Sequence, residues 1–518
     1  MTQKYTKMNA IKLKSFLILI GLCTYASSRA QSYLGLQQSN YGGIHQSNLN
    51  PANITNGVHK TYFNALNLGF GFNNDYVKLN MPFSVMQLIT GNVPSQYKNP
   101  TTGKVDFQDE WLKEDVNGKP KNVNLYMQIR TPGFMVQLPL GIAVGLQYKN
   151  NISFQINNVA EPLARLAKYG VDSSDGTTLY SGPNKYVVGQ NFRDNAFTIN
   201  VNAYGELAGT VAKTIIKNEN MVIKAGFTGK YLMGYATGYI KNQGMQFRVQ
   251  GMDTIVFNET NVEYGYTDLS VFNNLSAVNI DLLTKKLQGS GFGYDIGGTV
   301  EIMPKSTRDI TNKKTKYLFR VGASLLDCGS IHYKNNLKTT TITNSGDKNF
   351  YLNGAFAEAW SESTDRGIQY TDSVLRTILT IDSARKDVKT TMPTTLNLQF
   401  DYNVFKNLFI GANISQDLRG KDKIGVRKAS YVMIIPRFES KLFEIAIPFG
   451  LMNDYRTGRI GFFARIGPVF VGSDNLIGQL KSNNFYGADF YVGLSMGITG
   501  KKDKDGDSDK SQQNNASE

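Results

Sequence analysis

The chain has 518 residues, 41% of them hydrophobic and 19% charged, with a formal net charge of +15. That apolar share over that length excludes a disordered chain. The 50 Gly beside 28 Tyr and 29 Phe argue against a helix bundle and for β-structure, and 2 Cys exclude a disulfide framework.

Residues 1–30 read as a secretory signal. Lys4, Lys7, Lys12 and Lys14 form a basic start, Ser15 to Cys23 an apolar stretch, and Ser28-Arg29-Ala30 a small-x-small cleavage site. Cleavage after Ala30 removes five basic residues and no acid, which takes the charge to +10 and leaves Cys328 as the single cysteine. No later apolar run reaches the ~18 residues of a membrane-spanning helix. Residues 31–57 are expected to form an N-terminal segment at or in the mouth of a barrel.

From residue 58 the chain alternates. Leu66, Leu68, Phe70 and Phe72 are interleaved with Asn67, Gly69 and Gly71; Val123 to Ile129, Ile142 to Tyr148, Phe197 to Val201 and Ile223 to Tyr235 repeat the habit. Asn158 to Gly170 is expected to hold a helix, with Pro162 early and Gly170 as its stop. Ala277 to Leu287 is a second helical candidate, capped by Ser276. In Gly291 to Pro304, Phe292, Tyr294, Ile296, Val300 and Ile302 lie on one face, and Gly293, Asp295, Gly297, Thr299 and Glu301 on the other. Phe319 to Leu325, Leu396 to Tyr402 and Phe490 to Ile498 follow suit.

The second face distinguishes lipid from a soluble core. A sandwich turns its polar face to bulk water and fills it with Lys, Glu and Thr; here that face is Gly, Ser, Asn and Gln with isolated charges, as suits a crowded, wet lumen. Closing the sheet also removes the edges that so much strand sequence would expose. The expected fold is therefore all-β: a single closed antiparallel transmembrane β-barrel over residues 58–500, with about 14 strands in a range of 12–16. Polar segments near 83–121, 157–194, 242–288 and 334–392 are expected to be long extracellular loops, some with short helices. Residues 501–518 are expected to be a disordered polar tail.

Several phrases carry a family resemblance: "SNYGGIHQSNLNPANI" (39–54), "GSGFGYDIG" (289–297), "ASLLDCGSI" (323–331), "MPTTLNLQFDYNVFKNLFIG" (392–411), "PRFESKLFEIAIPF" (436–449) and "ARIGPVFVGSDNLIG" (464–478). In this order they resemble an uncharacterised outer-membrane barrel family of the Bacteroidetes type, a domain of unknown function, over nearly the whole mature chain. The early "NPA" is also similar to the start of fatty-acid-transporter barrels and of barrels of the type IX secretion and gliding machinery. The resemblance implies fold and a bacterial outer-membrane location, and brings no catalytic residue.

The residues themselves point away from catalysis. Ser495 lies in a G-x-S-x-G match (Gly493 to Gly497), but within an alternating strand and without the strand–turn–helix a nucleophile elbow needs. His332 follows Ser330 by two and shares its face, but such pairs are common by chance, and a hydrolase would need an acidic or amide group beside them. Three His and one Cys give no zinc pattern. Asp503, Asp505, Asp507 and Asp509 lack the Gly position and closing Glu of a calcium loop. The expectation is a non-enzyme without cofactor or metal. Its candidate site is a polar network inside the barrel, formed by Asp295, Glu301, Arg320, Asp401, Arg437, Glu439 and Arg465. Mixed signs suit a structural network more than a charge-selective ring. Two functions are expected to compete: a passive channel or transporter for small or apolar solutes, and a scaffold barrel in an envelope or secretion assembly. Expected partners are outer-membrane lipid, the phosphates of lipopolysaccharide, and envelope proteins; no basic motif with stacking aromatics points to nucleic acid.

Overall fold

The computed structural model of the chain describes residues 33–89, 91–169, 189, 191–250, 254–267, 286–304, 317–351, 358, 364–378, 381–383, 386–405, 407–420, 423–476, 480 and 486–499. The signal segment, the helix expected over Ala277 to Leu287 and the tail with its four aspartates lie outside the described residues.

Among those described, fourteen antiparallel strands close a barrel. They are β1 (Thr61–Asn74), β2 (Lys121–Gln137), β3 (Ile142–Val159), β4 (Asn191–Lys217), β5 (Met221–Val249), β6 (Gly289–Ile302) and β7 (Phe319–Tyr333). β8 (Thr395–Phe405), β9 (Leu408–Asp417) and β10 (Tyr431–Glu439) follow. β11 (Phe443–Ala446 and Phe449–Met452) and β12 (Thr457–Ile460 and Phe462–Ile466) are each interrupted once, and β13 (Val469–Ser473) and β14 (Gly487–Ile498) complete the ring. Closure is by the first and last strands, Thr61 opposite Ile498 through Asn73 opposite Gly487.

Alternation sets the two faces. In β6 the side chains of Phe292, Tyr294 and Ile296 are 76%, 45% and 45% exposed, whereas Asp295, Thr299 and Glu301 are buried. Leu396, Leu398, Phe400 and Tyr402 of β8 are exposed, and Asn397, Gln399 and Asp401 are buried. The belt of exposed large apolar side chains runs around the ring, the arrangement a bilayer requires, while the interior combines polar side chains with two apolar clusters, Leu34 and Leu36 on Met433, Ile435 and Phe463, and Ile44 and Ile54 on Tyr62 and Met135. Among the described residues no helix is long and apolar enough to cross a membrane; the strands do the crossing.

One end of the barrel has short connections, such as Leu138 to Gly141 and Asn218 to Asn220, and the other has long ones. In outer-membrane barrels short turns face the periplasm. β4 and β5, of 27 and 29 residues, far exceed the ~9–11 residues that span a bilayer. Their excess projects at the long-loop end and pairs onward with Thr254–Tyr266, Lys338–Tyr351 and Ile381–Ser383. Segments 242–288 and 334–392, expected as loops, thus carry strands. The expectation fails there because the apolar side chains this sheet buries, such as Phe247, Val249, Val256 and Ile342, are scattered among polar and charged ones and give no long one-sided period. The helix expected from Asn158 is present as α1 (Glu161–Tyr169), and α2 (Thr364–Ile378) packs on the projecting sheet through Leu375.

Candidate functional site

The barrel is filled. Residues 33–57 form a short helix (Leu34–Gln38) and two 3-10 turns (Gly43–Asn48 and Pro51–Thr55), nearly all buried inside the ring. The segment has no period of its own to stabilise a helix or strand. Asparagines and glycines instead let it follow the polar wall. Asn50 caps the second turn by accepting from the amide of Ala52, while its Nδ2 donates to the carbonyls of Gly298 and Ala323 at 3.0 and 3.1 Å. Asn53 and Gln399 exchange amide hydrogen bonds at 3.1 and 3.0 Å. Two wall glycines make the approach feasible. A Cβ on Gly226 would stand 2.4 Å from the backbone of Pro51 and Ala52, and one on Gly297 2.3 Å from Asn50 Oδ1.

Six of the seven predicted lumen residues converge beside this plug at the short-turn end. Asp401, fully buried, is the hub. It accepts from Arg320 Nη2 at 3.1 Å, from Arg437 Nη1 and Nη2 at 2.7 and 2.5 Å, and from Tyr317 at 2.6 Å. Register explains the meeting: Arg320 stands opposite both Glu301 and Asp401. Between β8 and β10, the β9 position facing Asp401 is Gly411, and the Arg437 guanidinium crosses the gap its absent side chain leaves, 3.0 Å from where a Cβ would lie.

Glu439 and Glu444 face each other across β10 and β11, a repulsive pair unless compensated. Arg437 donates to Glu439 at 2.5 Å and Arg465 to Glu444 at 2.6 Å. The plug completes the compensation: Ser39 Oγ donates to Glu444 at 2.5 Å, and Asn40 donates from its backbone and side-chain nitrogens to Glu439 at 3.1 and 2.9 Å. Glu301 is held by Lys224 at 2.7 Å, whose Nζ also reaches Asn56 of the plug at 2.5 Å.

The seventh, Asp295, belongs to a second cluster deeper in the barrel. Lys230 Nζ lies 2.8 Å from Asp295, 2.5 Å from Asp327 and 3.7 Å from Glu206, which also accepts from Lys149 at 2.7 Å. This cluster lines a chamber of about 80 Å³ above the plug, roofed by Val426 to Lys428 of the β9–β10 connection. That connection folds inward: Gln155 and Arg427 exchange side-chain-to-backbone bonds at 2.6 and 2.8 Å, and Gly425 N donates to Asn200 at 2.9 Å.

Ser495 meets a histidine, His45 of the plug, whereas His332, two residues from Ser330, is exposed on β7. Arg130 Nη1, which can only donate, lies 3.4 Å from His45 Nδ1. Nε2 therefore carries the proton and donates to Ser495 Oγ at 3.3 Å, and Ser495 donates on to Asn64 at 2.9 Å. A donor cannot serve as the serine's base, so the arrangement is a hydrogen-bond chain and not a nucleophilic one. Burial above all, then the charge of Arg130, holds the His45 imidazole well below its usual pKa and hence neutral. Among the described residues, no three His, Cys, Asp or Glu side chains converge as metal ligands.

A profile described as a family of unknown function, DUF5723, matches residues 51–474. A comparison with curated proteins finds no match. Among solved structures, the Ralstonia pickettii toluene transporter TbuX aligns at 9% identity and a TM-score of 0.38, over 88% of this chain and 94% of that one. The Pseudomonas putida toluene transporter TodX aligns at 9% and 0.33, over 91% and 94%. A Pseudomonas aeruginosa FadL homologue aligns at 10% and 0.24, over 87% and 93%. No residue role or substrate is carried over from them.

Proposed function

We propose that this chain, which belongs to the DUF5723 family of unknown function, is a gated passive channel for small solutes in the bacterial outer membrane. The observation that supports it is the chamber itself, a polar space inside the barrel between two removable elements: the plug of residues 33–57 on one side and the inward β9–β10 connection on the other. The plug makes side-chain bonds and apolar contacts with the wall, and the connection adds one backbone bond, Thr391 N to Ile424 O at 3.0 Å, to its side-chain bonds; neither is a strand of the ring, so either can leave without opening it. The lining, with Leu326, Pro393 and Val426 as its few aliphatic members, suits small polar solutes better than apolar ones.

The test is planar-bilayer recording of the mature chain and of Gly226→Leu, whose side chain would collide with the plug backbone. The wild type is expected to conduct rarely and the variant to open. If neither conducts, and neither admits solute into proteoliposomes, the channel reading fails. The projecting sheet with α2 favours the second reading, a non-catalytic scaffold in an envelope assembly. That reading predicts a partner crosslinked in native membrane to residues 338–351 and lost when that strand is removed.

A further inference from the structure

We propose that the chamber binds a compact anion, a carboxylate or phosphate group, on Arg130 and Lys428. The inference deepens the channel reading by naming its solute class and rests on it for the route, but binding is measurable without transport.

The charges of the chamber are unevenly placed: Arg130, Lys149, Lys230, Arg427 and Lys428 line it with Glu206, Asp295 and Asp327, and the two acids that complete the count both sit on Arg427. Glu206, Asp295 and Asp327 are all engaged by Lys149 and Lys230 on one wall. Arg427 is engaged by Asp417 and Asp454, both at 2.6 Å. Arg130, only 4% exposed, has no carboxylate among the described residues. Its Nε donates to Gln128 at 2.6 Å, its Nη1 faces neutral His45, and its plane lies 4.1 Å from the Tyr33 ring. Lys428, on the roof, makes no described hydrogen bond or ion pair and lies 5.9 Å from the Tyr431 ring. Arg130 is buried and Lys428 half-buried, and a cation so placed without an acid is costly unless an anion pairs with it.

A third observation points the same way. Asn151 Nδ2, on the lining, is a buried amide donor with no acceptor, and an oxyanion accepts from amide and guanidinium donors alike. Arg130 also acts on Lys428. Burial, above all, pushes the lysine amine below its ordinary range; Asp327 opposes this and Arg130 adds to it. Room for a few non-hydrogen atoms limits the ligand to a small group; a long apolar tail meets charged walls.

Equilibrium dialysis of radiolabelled inorganic phosphate, and separately of acetate, against the detergent-solubilised mature chain tests the site. Saturable binding is expected for at least one of the two. Lys428→Gln and Arg130→Gln should each weaken it by about tenfold or more, the scale of one charge-assisted bond. Arg130→Lys should retain most of the affinity, and Lys423→Gln, an exposed lysine on the same connection, should change nothing. Absence of saturable binding of both probes, or equal weakening by Lys423→Gln, overturns the proposal, as does binding indifferent to Lys428→Gln. Should Arg130→Gln fail to fold, shown by loss of heat-modifiable migration, Lys428→Gln decides alone. Binding without conductance refutes the channel reading and leaves the site; conductance without binding refutes the site and leaves the channel.

Discussion

The two halves of the lumen use the same residue types to opposite ends. At the short-turn end, acids and arginines alternate across neighbouring strands, and the carboxylate acceptors left over are met by Ser39 and Asn40 of the plug. Around the chamber, the acids are gathered on one wall with two lysines, while Arg130 and Lys428 stand apart. A network paired throughout except at Arg320 Nε fixes one arrangement; an unevenly placed one leaves something for a ligand to do. The first half therefore reads as a latch and the second as a receptacle.

The sharpest way to break that contrast is Asp401→Ala, which strands Arg320 and Arg437 in the latch without their shared acid. Loss of a partner from a buried ion network costs about 3–5 kcal/mol, to be read from urea unfolding in lipid vesicles; a loss under about 1 kcal/mol would mean that the latch is solvated. Phe400→Arg, the neighbouring residue on the outer face, should cost about 2–4 kcal/mol if that face meets hydrocarbon and almost nothing if it meets water.

A smaller and pH-graded effect is expected at His45. The docked plug keeps the imidazole neutral, so below pH about 6.5 only the released form takes up the proton, and release becomes easier by about 1.4 kcal/mol per pH unit. Protease cleavage within residues 33–57 should rise as pH falls from 7 to 5 and lose that slope in His45→Gln. Cleavage independent of pH in the wild type would place His45 in water.

The smallest effect lies outside the lumen. Glu161 of α1 accepts from Lys121 Nζ and from the amides of Asn117 and Gly118. Burial raises its pKa, but these donors outweigh burial and hold the carboxyl below its ordinary range. The resulting stabilisation is present above that range and lost as pH falls through the lowered value. Glu161→Gln should cost under about 1 kcal/mol and speed hydrogen exchange at Asn117 and Gly118 alone.

The barrel was legible because its strands are one-sided: Leu396, Leu398 and Phe400 against Asn397, Gln399 and Asp401 already show which face meets lipid. The same parity places Lys224, Lys230 and Glu444 inside, and they belong beside the seven predicted residues; their signal was present in Ile223, Ala225, Phe443 and Ile445. Asp327 was not readable. It sits where the β6–β7 register slips between Leu325 and Cys328, with a φ of 56°, so counting by two cannot say where it points. The plug's place was equally opaque in local pattern, because its fold comes from a wall contributed by distant strands. His45 beside Ser495, 450 residues apart, follows only from ring closure.

That closure orders events in time. Ser39 finds Glu444, 405 positions further on, only once most of the chain has been made, and the ring is sealed by pairing its first strand with its last. The plug therefore has to be seated before the seam zips or enter through an end afterwards. Either way its docking is among the latest and slowest steps of assembly, as contacts of such sequence separation are. A nascent barrel caught before that step would present Glu439 and Glu444 face to face without their plug donors, a short-lived species for an assembly factor to shield.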